Sequence, residues 1–220
     1  FQRIVRLRKG QKHARRDWAN EHMFVVYFLI LFAGLMSLYH FIDFRLNTQI
    51  TIILSGGFSI LYPFGLRKIP FFKIFIISFV WTVSTMLFLV LENNILISQN
   101  TCWHLLARFL FVFSITIPFD IRDMKYDAKK LRTIPLFLGP LKSRVIAIFT
   151  LFICAVVAIF QYFENTLIFS NALALIFLYF TSSIFILKSD ERRGEMYFSF
   201  WGESLSILGY LFLVIMLLIV

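Results

Sequence analysis

Long apolar runs separated by short polar connections dominate the 220-residue sequence, and nowhere do hydrophobic and polar residues alternate with a period of two. Seven runs stand out: Met23 to Ile42, Gln49 to Phe64, Phe71 to Leu91, Trp103 to Phe119, Val145 to Phe163, Thr166 to Leu187, and Phe198 to Val220. A crossing of the hydrocarbon layer needs about 20 apolar residues. In lipid each backbone amide must find its partner within its own helix or in a closed barrel, and without strand-like alternation only the helix remains. The pattern therefore predicts an all-α fold, a polytopic transmembrane helical bundle with about seven spans, forming one domain over residues 1–220. Connections as short as Glu164-Asn165 force neighbouring spans to run antiparallel. The second run is short and holds Gly56 and Gly57, which predicts close packing or a local break. Pro118 is expected to end or kink the fourth.

Composition agrees. Hydrophobic residues make up 60% of the chain, aromatic residues 19% and charged residues 15%, too apolar for a water-soluble domain. Cys102 and Cys154 have no metal-ligand spacing and read as packing residues instead of a disulfide pair.

Charge adds sidedness. Of the 22 Lys and Arg residues, one group precedes the first span (Arg3, Arg6, Arg8, Lys9, Lys12, Arg15, Arg16). Three more sets follow on the same side: Arg67, Lys68 and Lys73; then Arg122 to Arg144; then Lys188, Arg192 and Arg193. Opposite them lies only Arg45, with Arg108 inside the fourth run. Cationic loops stay cytoplasmic, so the net charge of +10 follows from topology and calls for no nucleic-acid partner.

Candidate chemistry concentrates in the segment PFDIRDMKYDAKKLRTIP, residues Pro118 to Pro135. Asp120, Asp123 and Asp127 are spaced i, i+3, i+7, so on a helix continuing past Pro118 they lie within about 60° of one another. Three converging carboxylates repel unless a cation sits among them. Mg²⁺ suits them, because it takes hard oxygen ligands and bridges carboxylates to phosphates while Lys and Arg hold the remaining phosphate charge. The same residues also fit a solvated juxtamembrane helix with local pairs such as Asp127 with Lys130.

This segment resembles the second aspartate-rich motif of the UbiA superfamily of intramembrane prenyltransferases, with Asp120, Asp123 and Asp127 followed by Arg132, Thr133, Ile134, Pro135 and Gly139. A second stretch, LYPFGLRKIPFFKIFIISFVW from Leu61 to Trp81, is similar to the family's connection in which a Tyr, a basic pair, a Pro and a Lys precede a helix carrying Trp. The resemblance implies a nine-helix bundle of which this chain looks like helices three to nine, with N-terminal helices preceding Phe1. It implies Mg²⁺ as cofactor, an isoprenyl diphosphate and a lipophilic acceptor as substrates, Asp123 and Asp127 as metal ligands with Asp120 in support, and Lys68, Lys125 and Arg132 as diphosphate contacts. The family's first aspartate motif is expected near FQRIVRLR at the start of the chain, a stretch with no carboxylate. Asp17 and Glu21 are the only acids before the first span. A homologue whose activity has been lost is therefore a competing expectation. So is a non-enzymatic membrane protein that binds a phosphate-bearing lipid or a partner through its basic cytoplasmic face. A transporter is disfavoured, because paired broken helices and mid-membrane charges are largely missing.

Among the remaining polar residues, His13, His22, His40, His104 and Glu203 read as interfacial. Arg108 either faces the bundle interior or snorkels to the outer end of its span. The 29 phenylalanines suit an isoprenoid pocket and lipid contact equally.

Overall fold

The computed structural model describes residues 21–62, 69, 71–127 and 133–219, with side chains omitted for 125–127. Every regular element among them is helical. In chain order these are α1 (Met23–Asp43), α2 (Leu46–Leu61), α3 (Phe72–Thr82), a π-helical segment (Val83–Leu87), α4 (Phe88–Glu92), α5 (Gln99–Asp127), α6 (Ile134–Leu138), α7 (Pro140–Phe163), α8 (Phe169–Leu187), a second π-helical segment (Tyr197–Gly202) and α9 (Glu203–Ile219).

Six helical stretches among the described residues are long and apolar enough to cross a membrane: α1, α3 through α4, α5, α7, α8, and the second π segment with α9. The seventh expected span, α2, has 16 residues and reaches about 24 Å at 1.5 Å per residue. That is short of a hydrocarbon core of about 30 Å. Its glycines do not explain the shortness. The helix is unbroken at Gly56 and Gly57, and a Cβ built on either meets nothing within 4 Å, so among the described residues neither the expected break nor the expected close packing is present.

The core lies where α5, α7, α8 and the start of the last span meet. Ile117, Ile121, Ala147, Leu151, Cys154, Ile186 and Phe198 are almost completely enclosed. Cys154 is thus a packing residue, whereas Cys102 is exposed. Helix α1 behaves differently: none of its residues is buried against the other described residues. The short turn after α7, with Asn165 at φ 54°, sends α8 back antiparallel. Its Thr166 and Leu167 amides both donate to the Gln161 carbonyl.

Helix α5 continues through Pro118 to Asp127 instead of ending there. Proline removes one amide donor but leaves the rest of the ladder, and Pro118 is itself fully buried. This continuity carries the aspartates on helix rather than loop. Gly139 joins α6 to α7 at φ 82°, ψ 162°, a region open essentially to glycine alone.

Candidate functional site

Two remote sequence stretches meet at the end of α5 that carries the aspartates. Lys73, in the first turn of α3, places its Nζ 2.5 Å from Asp120 Oδ1. The carboxylate is 2% exposed and the lysine 13%, so both charges are largely withdrawn from solvent. Burial on that scale is costly for an ion unless an opposite charge accompanies it. Beside this pair the Phe71 ring meets Phe137 of α6 edge-on at 5.6 Å. The start of α3 is thereby tied to both α5 and α6.

Asp123, one turn further along α5, faces a wetter environment. Arg122 donates from Nε to its Oδ1 at 2.8 Å, with the two side chains 28% and 29% exposed. The Arg122 guanidinium lies over the rings of Phe119 and Phe198, at 5.4 and 5.6 Å from their centroids, which limits its freedom and that of the carboxylate it holds. Phe198 belongs to the second π-helical segment. There Gly202 allows a close approach that no side chain would: its Cβ would fall 2.7 Å from Phe119 Cζ.

Of the residues expected to form the site, Asp120 and Asp123 lie on neighbouring turns, with Asp120 turned toward Lys73 and Asp123 toward Arg122. Helix α5 includes Asp127, but the side chains of Asp127 and Lys125 lie outside the described residues, as do Lys68, Arg132, Lys130 and the whole segment 1–20. Among the described residues no three His, Cys, Asp or Glu side chains cluster closely enough to hold a metal ion. Lys73 was not foreseen as a site residue. The signal was its place as the lysine of the Leu61–Trp81 stretch, but its partner stands far along the sequence.

The amino-acid sequence matches the UbiA prenyltransferase family over residues 8–203. The chain belongs to that family. Searches of curated proteins and of solved structures returned no match. The two stretches that carried the resemblance to the UbiA family are thus brought into contact in space, at the same end of the bundle.

At the other end of the UbiA helices lies a second group of polar residues. Arg108 points inward from α5 and donates from Nε to Thr85 Oγ1 at 3.2 Å, so it does not snorkel outward. His104, expected at the interface, lines the same cavity together with Gln161 and Tyr179. Gln161 is 1% exposed and donates from Nε2 to Asn100 Oδ1 at 2.5 Å.

Proposed function

We propose that this UbiA-family chain transfers an isoprenyl group from an isoprenyl diphosphate to a lipophilic acceptor, at the aspartate end of α5, on the cytoplasmic side of the membrane. The observation that carries this reading is the ion pair between Lys73 and Asp120, which unites the two family-like motifs in one place. Sidedness rests on the concentration of Lys and Arg at this end.

Hard carboxylate oxygens beside basic residues suit Mg²⁺. Asp123 fits such a role: it is partly exposed, and among the described residues only its Oδ1 is engaged. Asp120 fits a supporting one, since Lys73 already occupies the position a cation would take beside it. Asp123 and Asp127 are the residues that would hold the ion, and Lys68, Lys125 and Arg132 those that would bind the diphosphate. When bound, Mg²⁺ supplies charge neutralisation for the leaving diphosphate.

In the reaction the allylic C–O bond breaks, with its electron pair leaving on the diphosphate. The acceptor then supplies an electron pair to the allylic carbon and loses a proton. The basic side chains stabilise the charge developing on the leaving group. Arg122 orients the Asp123 carboxylate, and Lys73 fixes the end of α5 that carries the aspartates in its sequence.

The test is Mg²⁺-dependent release of diphosphate from isoprenyl diphosphates by the purified chain in detergent. Asp123→Asn and Asp127→Asn are expected to abolish it, and unchanged turnover in both variants would sink the assignment.

One observation favours a second reading, a non-enzymatic protein binding a phosphate-bearing lipid. Arg144, Lys188, Arg192 and Arg193 surround a surface depression of about 550 Å³ in which Asp190 is the one acid among the described residues. Titration of lipid diphosphates with and without Mg²⁺ separates the readings: binding that ignores the metal and is lost on replacing Arg192 and Arg193 favours the second.

A further inference from the structure

The cavity around Arg108 lies on the same helix as the aspartates but far from them. Twelve residues separate Arg108 from Asp120, about 18 Å along a helix rising 1.5 Å per residue. No single small reacting group reaches both. A charge this deep in a span must be compensated, because an isolated guanidinium in hydrocarbon is costly. Compensation is incomplete. Arg108 has the Thr85 hydroxyl on Nε and the face of Phe111 at 5.8 Å from Cζ, and no carboxylate among the described residues pairs with it. Its two Nη groups make no hydrogen bond to those residues. Because Nε is engaged, the fork left for a ligand is the end-on pair of Nη groups, whose spacing matches the two oxygens of a carboxylate.

The helix opposite is reshaped at the same level. Thr85, which orients the guanidinium, and Met86, which lines the cavity, both sit in the π-helical segment Val83–Leu87. Such wide turns inside helices recur at functional sites. The cavity is half-open, with a volume of about 140 Å³. Such a space receives a carboxylate with the adjoining part of a ring or alkyl chain, the remainder of a longer molecule leaving through the open side. Apolar walls from Met86, Phe111, Leu175 and Leu178 suit the body of such a molecule.

We infer that the Arg108 cavity is a binding site for the carboxylate of a small amphiphilic acid, distinct from the aspartate face and independent of prenyl transfer. One positive charge matches a monoanion. His104, Gln161 and Tyr179 supply further polar contacts at the cavity wall. Two sources present this chemistry, an aromatic acid from solution and a fatty acid from the bilayer.

The experiment uses the whole chain in detergent micelles, with neither Mg²⁺ nor diphosphate, and follows ¹³C-carboxyl-labelled benzoate and ¹³C-carboxyl-labelled laurate by NMR. Saturable binding of at least one acid is expected, with the neutral analogues benzamide and dodecanol failing to compete. Benzoate alone identifies a solution source, laurate alone a bilayer source, and both together a site that reads only the carboxylate. Arg108→Gln should weaken binding at least tenfold. Thr85→Val keeps the charge but frees its orientation, and should weaken binding several-fold; it also serves if the glutamine variant fails to fold. Absence of saturable binding of either acid, equal competition by the neutral analogues, or unchanged affinity in a folded Arg108→Gln or Thr85→Val variant overturns the inference. Metal-dependent diphosphate binding, measured on the same variants, is expected to stay at the wild-type level, so failure here and failure at the aspartate face are told apart.

Discussion

Separating Lys73 from Asp120 is the most direct test of what holds the aspartate end together. At 2.5 Å and an effective dielectric constant of about 20, the gross attraction between the two charges is about 7 kcal/mol. Several kcal/mol per ion are lost in taking them out of water. The net worth of the pair against an apolar replacement is therefore close to zero, while removing one partner is expensive. Replacing Asp120, which is 2% exposed, with Leu leaves an ammonium facing an apolar side chain. Replacing Lys73 with Met leaves a buried carboxylate facing a thioether. Each single variant is expected to lose about 3–5 kcal/mol, and the double variant Lys73→Met with Asp120→Leu to return within about 1 kcal/mol of the parent. Unfolding by increasing SDS fraction in mixed micelles, followed by tryptophan fluorescence, measures all four corners. Contacts that either side chain makes elsewhere cancel in the cycle, so the coupling term isolates the pair. The reasoning is refuted if both single variants stay within about 1 kcal/mol of the parent, or if the two losses simply add.

Two further outcomes follow from packing and exposure. Gly202→Ala, whose Cβ must displace the Phe119 ring, is expected to cost about 1–3 kcal/mol. Gly57→Ala, with open space around it, should instead stabilise by about 0.5–1 kcal/mol, and both are read in the same SDS titration. Cys102 is exposed while Cys154 is enclosed. A membrane-impermeant maleimide should therefore label intact vesicles only at Cys102 and only from the face opposite the aspartates; labelling from the aspartate face would reverse the proposed topology.

Much of the architecture was legible because lipid imposes one requirement that every span must meet. Uninterrupted apolar runs satisfied it, and most helices formed within a few residues of the expected limits, whereas α5 runs on past the expected end at Phe119 to Asp127. Local exceptions were less legible. Gly56 and Gly57 suggested a tight contact, yet glycine in a lipid-facing helix needs no neighbour. Pro118 suggested a stop or a kink; the helix does not stop there, and the proline is buried together with Ile117 and Ile121. At the candidate site the spacing of the aspartates gave their common helix but not their partners. Lys73 reaches Asp120 only because α3 packs against α5, a pairing with no local signature. Arg108 was read as equally suited to the interior or the membrane surface; what decides for the interior is Thr85, 23 residues earlier.

Both π-helical segments stand opposite an arginine of α5: Val83–Leu87 opposite Arg108, and Tyr197–Gly202 opposite Arg122. A wide turn holds one residue more than the α-helical turn it replaces, and so takes up that residue while leaving the helix beyond it in phase. Which side chains greet each arginine is thus governed by chain length within the neighbouring helix as much as by residue identity. Deleting Ser84 would let an ordinary α-helical turn replace the wide one and leave the helix beyond it in phase, turning only Thr85 and its neighbours within the segment relative to Arg108. At these two levels of the membrane the chain keeps register as a vernier does, through a mismatch of one division.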